Sequence, residues 1–513
     1  MGVHRAFNYK EPYNQHESVQ FGGTAFFVEP KKAFGSNFPI EIGDKRFAIT
    51  NFHVVDELAE NQCYLCYPEK GHSQISATVV YTVPSLDVAI LMVDPHGDHP
   101  FWFDSADIRD FIETIPNLKI DETPIKGNSQ KVVAIGFPNL STDYQLCEGC
   151  ISGRGLGMIQ LSISLNGGNS GGPLMYKGKV IGICTASITD SEALGLAVPI
   201  LQAIRFFRHW TSYDNIILQT PSWGMKSKTT TSAFLEFYEV DSIQGCTIDK
   251  VVSTGAIRKA KIQERDIIMG ISSAGKRYNV DNFGLVSFDK YTDKRVPIEN
   301  QEFILSLNPD DIKLDIFSWK SKKIKRCVNV TPYPIDFKIR DVHHCWEDVP
   351  YAMLGGLVFM NLCMGHLIED LEEDEEPICP AEQAIPLISF SHSTMHSKTA
   401  VVVTYIPPQS HVASQNTLKV FDRIIKINNR KVKDVSHLQE LVEEAVLKYN
   451  SKDATVKNTF IVMETDKGKV FLSLKQLYAR EVHDIARDNY PADKCMLLKM
   501  KVNQRKRKFT SSG

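Results

Sequence analysis

Short apolar runs separated by turn residues dominate the chain from about Phe21 to Val198. The runs that stand out are residues 24–28, 47–50, 88–93, 132–135 and 180–183. Gly, Pro, Asn and Asp separate them, and short strands divided by such turns are typical of an all-β sandwich or a pair of barrels. In this part we expect only a short helix beginning near Val54 and another from Ile200 to Trp210.

The segment after residue 210 is polar and then becomes a mixture of helical and strand-like patterns. Residues 211–222 predict a linker. Beyond it we expect strands at Phe234–Tyr238 and Thr247–Val252 and a short helix near Ala256. Residues 223–338 are therefore predicted to form an α+β domain.

Part of this pattern occurs a second time further along the chain. Val420–Asn428 repeats the turn-and-strand pattern of Glu264–Ile271. An amphipathic helix follows it, with apolar residues at helical spacing: Leu438, Leu441, Val442, Ala445 and Val446. The repeat predicts that residues 339–498 share the fold of residues 223–338.

The composition is that of a soluble globular protein, with 513 residues, 43% hydrophobic and 23% charged positions and a net charge of −3. This balance argues against nucleic acid as a partner, and no apolar run reaches the roughly 18 residues of a membrane helix. The N-terminal segment 1–20 lacks the apolar region of a secretory signal, and the eleven cysteines are too scattered for a disulfide framework. We therefore expect an intracellular, cytoplasmic protein that is not secreted, and the basic tail at 499–513 leaves the nucleus open.

Two Cys-x-x-Cys pairs raise the question of a metal. Cys63 with Cys66 and Cys147 with Cys150 would together supply the four thiolates of a structural zinc site. Both pairs lie in strand-like stretches, where positions three apart point to opposite faces. Ordinary buried thiols are the simpler interpretation, so we expect no metal.

The glycine-rich segment around Ser170 carries candidate chemistry. Serine is a poor nucleophile at neutral pH and needs an adjacent base, which itself needs an orienting acid. Residues 167–173 read Gly-Gly-Asn-Ser-Gly-Gly-Pro, and such glycines allow the tight turn that aims backbone N–H groups at an oxyanion. Ser170 is then the nucleophile, and Gly168, Asn169 and Ser170 form the oxyanion hole. A glycine-rich turn alone is also an ordinary loop, so this interpretation depends on partners elsewhere.

His53 and Asp87 are the predicted partners of Ser170. His53 follows an apolar strand and Asp87 begins a buried one. Asp94 is a rival acid, but it precedes Pro95 in a pattern typical of a turn. The order His, Asp, Ser is that of chymotrypsin-type enzymes, whereas subtilisins and α/β-hydrolases have other orders on α/β folds. The spacing also suits two small barrels, with His53 and Asp87 in the first.

Given these motifs, the region from Gly22 to Pro199 resembles the HtrA/Deg family of serine proteases. The likeness lies in the opening strand, the histidine, aspartate and serine motifs and the closing strand: Gly22–Phe26, Thr50–Val55, Leu86–Leu91, Asn166–Leu174 and Gly195–Pro199. It implies a mainly β chain with a chymotrypsin-like double β-barrel protease domain over residues 21–210. The implied catalytic triad is His53, Asp87 and Ser170.

The sequence departs from the family pattern at Phe52, where Ala is usual, and at Gly167, where Pro is usual. Proline would restrict the backbone, so glycine at this position loosens the approach to the oxyanion hole. The resemblance also implies that Leu165 and the strand from Ile183 to Ser187 wall the primary specificity pocket. Because no acidic residue stands there, we expect small or medium apolar side chains at the cleaved position.

The two α+β regions resemble PDZ domains, as in the plant-type Deg proteases that carry two of them. Gly245–Val252 carries the likeness in residues 223–338, and Leu354–Phe359 carries it in residues 339–498. PDZ domains bind the C-terminal segment of a partner by adding it as a strand, and we expect the carboxylate loop near Ser222–Met225.

The resemblance further implies a homotrimer or a multiple of trimers. Aromatic residues of the N-terminal segment would lie either at a trimer centre or on their own barrel: Phe7, Tyr9, Tyr13 and Phe21. The expected partners are unfolded or C-terminal segments of protein substrates, with no membrane and no nucleic acid.

These expectations predict a serine endopeptidase of protein quality control that cleaves unfolded or damaged proteins without ATP, metal or cofactor. The PDZ-like domains would serve substrate binding, regulation or assembly. Two alternatives remain. One is a chaperone or PDZ scaffold whose protease domain is inactive at rest, and the other is a specific processing protease.

Overall fold

The computed structural model of this chain describes most of the sequence. The described residues are 2–6, 8–13, 16–56, 58, 62–71, 73–100, 108–123, 125, 127, 129–138, 141, 143–155, 157–187, 194–240, 243–287, 295–367, 387, 390, 395–451, 455–488, 491 and 494–497. For 2–6, 16–21, 186–187 and 484–488 the backbone alone is described. Phe7, the acidic run 369–376 and the basic tail 499–513 lie outside the described residues.

The chain divides into two compact units, each considered by itself. The first is Ser18–Asp336 with Met1–His4, and the second is Phe337–Gly513 with Arg5–Glu17. Within the described N-terminal residues, β1 (Gly2–Ala6) pairs with β2 (His16–Phe21).

The first sheet of unit one brings together two segments that the sequence analysis singled out. Its strands are β3 (Phe26–Val28), β4 (Arg46–Thr50), β5 (Gln62–Cys66), β6 (Gln74–Val83) and β7 (Val88–Val93). Their order is β3-β4-β7-β6-β5, so the apolar β7 lies in the middle and is almost wholly buried. Thr50 pairs with Ala89, which places the end of β4 beside the start of β7.

A closed antiparallel barrel follows, in the order β10-β13-β12-β11-β8-β9. Its strands are β8 (Lys131–Gly136), β9 (Gln145–Gly155), β10 (Met158–Leu161), β11 (Pro173–Tyr176), β12 (Lys179–Ser187) and β13 (Gly195–Pro199). Apolar side chains from every strand fill its interior, among them Ile159, Leu174 and Cys184. The serine loop connects β10 to β11, so it emerges from this barrel.

The described helices in this region are short: α1 (Pro30–Phe34), α2 (Ile108–Thr114) and α3 (Ile200–His209). Helix α3 confirms the one expected from Ile200, whereas α1 and α2 were not predicted. The helix expected near Val54 is wrong. There the N–H groups of Val55 and Asp56 both donate to the Phe52 carbonyl, at 2.9 and 2.8 Å, and the described residues 53–56 form a turn and not a helix.

The segment expected as a linker, residues 211–222, packs against the domain before it. The buried Tyr213 donates its hydroxyl to the Phe207 carbonyl at 2.8 Å. Further along, the Leu218 N–H donates to the Thr82 carbonyl at 2.7 Å. An aromatic side chain gains free energy by leaving water, which explains why this polar-looking stretch joins the core.

The rest of unit one is the first α+β region. Its strands are β14 (Met225–Lys228), β15 (Cys246–Val251), β16 (Ile267–Ser273), β17 (Lys276–Asn279), β18 (Leu285–Ser287), β19 (Arg295–Pro297), β20 (Ile312–Ser318) and β21 (Lys323–Asn329). The helices are α4 (Ser232–Phe237), α5 (Ala256–Lys259) and α6 (Gln301–Ser306). The main sheet runs β14-β15-β16-β20-β21, and β14 lies at its edge. Arg154 of β9 forms an ion pair with Glu302 of α6, so this region is fastened to the barrel.

The strand expected at Phe234–Tyr238 is wrong, because this segment belongs to helix α4. Thr231 caps the helix by accepting the Phe234 N–H at 3.2 Å. A short apolar run does not distinguish a buried strand from a helix turn, and a threonine cap decides in favour of the helix.

Unit two contains the other α+β region. Its strands are β22 (Tyr351–Leu354), β23 (Leu357–Asn361), β24 (Val401–Tyr405), β25 (Arg423–Ile427), β26 (Arg430–Lys431), β27 (Phe460–Thr465) and β28 (Gly468–Ser473). Its helices are α7 (His411–Gln415), α8 (Val435–Tyr449) and α9 (Leu474–Asp488). The apolar face predicted for residues 438–446 is buried.

Strands outnumber helices along the described chain, which confirms the prediction of a mainly β protein. Among the described residues, no helix has both the length and the apolar character to cross a lipid bilayer. Within unit two, Tyr9 packs against Gly365, and Tyr13 packs against the cluster of Met353, Val358 and Cys495.

Candidate active site

His53 and Asp87 are brought together by the pairing of β4 with β7. The His53 Nδ1 lies 3.0 and 2.9 Å from the two carboxylate oxygens of Asp87. The backbone N–H of His53 also donates to Asp87 Oδ1, at 3.0 Å. Asp87 therefore holds both the ring and the main chain of the histidine. The other candidate acid, Asp94, accepts the His96 N–H at 2.9 Å in the turn that the sequence predicts.

Asp87 adopts an unusual backbone conformation. Its φ of 54° and ψ of 49° lie in the left-handed region, just after the short helical turn Pro84–Leu86. This conformation is disfavoured for residues other than glycine, and aspartate and asparagine tolerate it best. It directs the carboxylate back toward the end of β4, where His53 follows.

Ser170 lies on the loop that leads into β11, and its hydroxyl donates to the Thr185 carbonyl at 2.6 Å. The side-chain hydroxyl of Thr185 in turn donates to Asp87 Oδ2. Thr185 therefore contacts both the serine and the acid. Among the described residues, Ser170 and the His53 ring share no hydrogen bond, so the serine hydroxyl must rotate before His53 can accept its proton.

The turn preceding Ser170 is a type II β-turn in outline. The Asn169 N–H donates to the Asn166 carbonyl at 3.1 Å, and Gly168 has a φ of +96°. A positive φ at the third position of such a turn requires glycine, and the second position favours proline. Gly167 occupies that second position, which is where the family usually has proline.

The structure changes the predicted oxyanion hole. Asn169 does not fit this role, because its N–H is used within the turn by Asn166. The N–H groups of Gly168 and Ser170 meet no acceptor among the described residues, so they are the donors that a developing oxyanion would find. The Gly168 carbonyl is held on the opposite side by the Thr24 hydroxyl, at 2.7 Å.

Three buried polar residues at the ends of strands β3 and β4 contact the serine loop, and none of them was predicted as a site residue: Thr24, Thr50 and Asn51. Thr24 donates its N–H to the Ser170 carbonyl at 2.7 Å, and Thr50 donates its hydroxyl to the Thr24 carbonyl at 2.8 Å. Their only trace in the sequence is a polar side chain at the end of an apolar strand.

The specificity-pocket residues stay a prediction, and the structure places Leu165 and Ile183 in different cores. Leu165 is buried inside the barrel and lies so close to Gly195 that a Cβ there would be 2.9 Å from the Leu165 side chain. Ile183 lies apart from it, because β12 turns its side chain to the outer core with Val198. Cys184 faces the barrel interior instead, and burial raises the pKa of its thiol to about 12. At Ser187 only the backbone is described.

The cysteine pairs do not assemble a metal site within the described residues, where no group of three His, Cys, Asp or Glu side chains converges. Cys63 is buried, and burial raises its thiol pKa to about 11, whereas Cys66 on the same strand is exposed. Residues three apart on a strand face opposite sides, as the sequence analysis assumed.

Comparisons with known proteins agree with this geometry. A family model for the trypsin-like peptidase domain matches residues 23–183. A probable periplasmic DegP-like serine endoprotease of Pseudomonas putida is 26% identical over 254 residues, which cover 47% of this chain and 48% of that protein. The chain thus spans about half the length of these bacterial relatives.

Two other relatives match over a longer stretch. A probable periplasmic DegP-like endoprotease of Rickettsia conorii is 22% identical over 464 residues, covering 86% of this chain and 77% of that protein. The putative mitochondrial protease Do-like 12 of Arabidopsis thaliana is 21% identical over 452 residues, covering 84% and 75%.

Solved structures give the same kind of likeness. The HtrA-type protease AlgW with decapeptide has a TM-score of 0.41 at 18% identity, covering 63% of this chain and 85% of that one. A serine endoprotease from Yersinia pestis has a TM-score of 0.39 at 19% identity, covering 62% and 91%. At such TM-scores these likenesses add no argument of their own.

The fold and the site define a trypsin-like serine peptidase domain. The sequence relatives are DegP-like and Do-like serine endoproteases, and the chain is similar to this HtrA/Deg group.

The expectation of a cytoplasmic protein, with the nucleus left open, is wrong. The bacterial relatives are named periplasmic and the plant relative is named mitochondrial, which points to the periplasm or an organelle. The expectation rested on the lack of a signal-like segment, of a membrane span and of a disulfide framework. Burial raises the pKa of several of the cysteine thiols to about 12, for example Cys246 and Cys363, and a protonated buried thiol is inert in any compartment.

Proposed function

We propose that this chain is an active serine endopeptidase that cleaves peptide bonds through an acyl-enzyme on Ser170. The observation that carries the proposal is the continuous set of contacts from His53 to Asp87, from Asp87 to Thr185 and from Thr185 to Ser170. His53 has the acid that its role as base needs, and one rotation of the Ser170 hydroxyl away from Thr185 would bring the nucleophile to His53.

The mechanism begins with rotation of the Ser170 hydroxyl from Thr185 to His53. His53 takes the proton as general base while the oxygen attacks the carbonyl carbon of the substrate, and Asp87 stabilises the imidazolium that forms. The N–H groups of Gly168 and Ser170 donate to the oxyanion. His53 then protonates the leaving amine, and a water molecule activated by the same imidazole releases the acyl group.

The substrates proposed are unfolded or damaged proteins, cleaved without ATP as part of protein quality control. Peptide hydrolysis releases free energy, so the triad needs no nucleotide once a segment is extended in the cleft. The buried Leu165, lying against Gly195, supports small apolar side chains at the cleaved position.

The edge strand β14 is the proposed site for C-terminal peptide segments, by strand addition to the first α+β region. At present the Ser227 N–H donates to Glu299 Oε1 at 2.6 Å. Two further hydrogen bonds join residues 298–301, the stretch that contains Glu299, to the loop before β14. Trp223 Nε1 donates to the Ile298 carbonyl at 2.8 Å, and Gln301 Nε2 donates to the Pro221 carbonyl at 3.1 Å. A peptide must displace Glu299, so this binding would be regulated.

A second candidate function is a scaffold whose protease domain is inactive at rest. It is favoured by the Ser170 hydroxyl, which is bound to Thr185 and not to His53. The proposal of a trimer or a multiple of trimers stays a prediction.

The test compares purified wild-type protein with Ser170→Ala on unfolded casein and on a fluorophosphonate probe. An active endopeptidase degrades casein and is labelled at Ser170, and the variant does neither. Equal, slow casein loss in both proteins would sink the proposal. Labelling without casein cleavage would favour the resting scaffold, and a narrow cleavage profile on a peptide library would indicate a processing protease.

A further inference from the structure

Asn51 joins the segments that carry the acid and the nucleophile. Its side chain is fully buried, with 0% of its surface exposed. The Nδ2 donates to the Asp87 carbonyl at 2.8 Å, and the Oδ1 accepts the Gly171 N–H at 2.6 Å. One amide therefore connects the first sheet to the residue after Ser170.

The hydrogen bond from Asn51 to Asp87 restrains a residue whose backbone conformation is unfavourable. Asp87 is in the left-handed region, a conformation that is disfavoured for a residue with a side chain. The bond from Asn51 fixes the direction of its carbonyl, while the His53 N–H fixes one carboxylate oxygen. Together they leave the Asp87 carboxylate little freedom to turn away from the His53 ring.

The contact with Gly171 acts on a closely packed stretch. Gly171 has a φ of +84°, and a Cβ there would lie 2.0 Å from the Thr24 carbonyl oxygen and 2.2 Å from the Thr50 hydroxyl. The main chain next to Ser170 thus rests directly on the first sheet. The Gly171 N–H is shared between Asn51 and the Cys184 carbonyl, at 2.6 and 2.8 Å.

We propose that Asn51 is a positioning residue that sets the distance and orientation of Ser170 relative to Asp87 and His53. The inference rests on the proposed function. Proline is absent at Gly167, so the turn before Ser170 has less rigidity of its own. The buried amide supplies, from the neighbouring sheet, the restraint that the turn lacks.

The test uses the full chain with Asn51→Ala and Asn51→Asp, and Asn282→Ala as the matched control. Asn282 also accepts a glycine N–H, that of Gly245 at 3.0 Å, but in the α+β region. The readouts are the rate of fluorophosphonate labelling across pH, kcat and KM on a cleaved peptide, and hydrogen exchange of the amides at 168–172.

Asn51→Ala is expected to lower the labelling rate and kcat about 100-fold with KM nearly unchanged, because misplacement of about 1 Å costs this much. Exchange at 168–172 should speed up at least tenfold. Asn51→Asp keeps the acceptor for Gly171 and loses the donor to Asp87, so exchange at 168–172 should stay near wild type while labelling falls and its pH profile moves. For Asn282→Ala, the labelling rate, kcat and exchange at 168–172 should stay within about twofold of wild type.

The inference is overturned if Asn51→Ala folds and is labelled within threefold of wild type, or if exchange at 168–172 is unchanged. Should Asn51→Ala fail to fold, Asn51→Asp decides by the same criterion for labelling and its pH profile. Wild-type protein that is never labelled would sink the proposed function instead. Unchanged exchange in Asn51→Ala would then still refute the positioning role, and faster exchange would support it.

Discussion

The hydroxyl of Ser170 donates to the backbone carbonyl of Thr185 at 2.6 Å, so the resting nucleophile points away from its base. Rotation about one side-chain bond is enough to bring a serine hydroxyl from one partner to another, because serine has staggered rotamers of similar energy. The threonine hydroxyl also donates to Asp87, so Thr185 contributes to both ends of the catalytic set.

Replacing Thr185 by valine separates these contributions. Thr185→Val keeps the shape and the backbone carbonyl but removes the donor to Asp87, leaving a partly buried carboxylate oxygen with one fewer bond. Loss of a hydrogen bond to a charged group corresponds to about 1.5–3 kcal/mol, so we expect the rate of fluorophosphonate labelling to fall by about 10- to 100-fold. Thr185→Ser, which keeps the hydroxyl, is the control and should stay within about threefold. If Thr185→Val were labelled as fast as wild type, the hydrogen bond from the Thr185 hydroxyl to Asp87 would have no role in activating Ser170.

Gly167→Pro should stabilise the serine loop. Gly167 is at the second position of the Asn166–Asn169 turn, where proline is favoured, and a Cβ there meets nothing within 4 Å. Restricting the unfolded chain should raise the free energy of unfolding by about 0.4–1 kcal/mol. We expect faster fluorophosphonate labelling as well, measured beside urea denaturation. A proline variant that is both less stable and slower would show that the turn needs the freedom of glycine.

Gly171→Ala is the opposite case and tests the close approach of the two sheets. The added methyl group would meet the Thr24 carbonyl and the Thr50 hydroxyl at about 2 Å, and φ is positive at this position. We expect a loss of labelling beyond detection together with a lower melting temperature. Alanine at Gly178, which has a positive φ but open space, is the control for the backbone cost alone. If Gly171→Ala and Gly178→Ala showed the same labelling rate and melting temperature, the close packing of Gly171 against Thr24 and Thr50 would be contradicted.

The triad was predictable from the sequence because each member lies in a local pattern. His53 ends an apolar strand, Asp87 begins one, and Ser170 lies among glycines. The residues that hold the triad were not. Thr24 contacts Gly168 across 144 residues of sequence, and Asn51 contacts Gly171 across 120. Such contacts depend on how the two sheets meet, which local patterns do not reveal.

The same limit explains the errors on secondary structure and the unexpected packing of Ile183. The apolar run at Phe234–Tyr238 suits a strand as well as a helix, and only the cap at Thr231 separates them. Ile183 was placed in the pocket by the resemblance alone, and its side chain packs away from the barrel interior on a strand whose register against β11 shifts between Leu174 and Met175. A one-residue shift moves a side chain to the other face of a strand, and no sequence pattern marked it.

Glu299→Gln should expose the edge of β14 to peptides. The carboxylate of Glu299 both accepts the Ser227 N–H and repels the C-terminal carboxylate of an incoming peptide. A neutral amide holds the N–H less tightly, by about 1 kcal/mol, so peptide affinity should rise about fivefold. The measurement is fluorescence anisotropy with a dye-labelled library of peptides with free C-termini, in a Ser170→Ala background. Glu236→Gln, on the exposed face of α4, is the control. Unchanged affinity in Glu299→Gln would exclude Glu299 as a barrier.

The buried His366 gives unit two a predictable dependence on pH. Its Nδ1 lies 3.2 Å from the Cys363 backbone nitrogen, and its Nε2 lies 3.1 Å from the Tyr9 carbonyl oxygen. Burial lowers the pKa of His366 from 6.5 to about 4, because a charged imidazole would lose its hydration there. The unfolded chain therefore takes up a proton at a higher pH than the folded chain does.

The contribution of neutral, buried His366 to the free energy of unfolding is therefore fully present above pH 6.5, and it is lost as the pH falls toward 4. One pKa unit corresponds to about 1.4 kcal/mol, so the free energy of unfolding should fall by about 3 kcal/mol over this window. His366→Gln keeps an amide that can donate to Tyr9 but does not titrate, so its stability should change less with pH. Urea denaturation at pH 7, 6, 5 and 4, with hydrogen exchange at residues 362–367, measures the difference between the two proteins. Parallel pH profiles for wild type and variant would mean that other groups cause the loss.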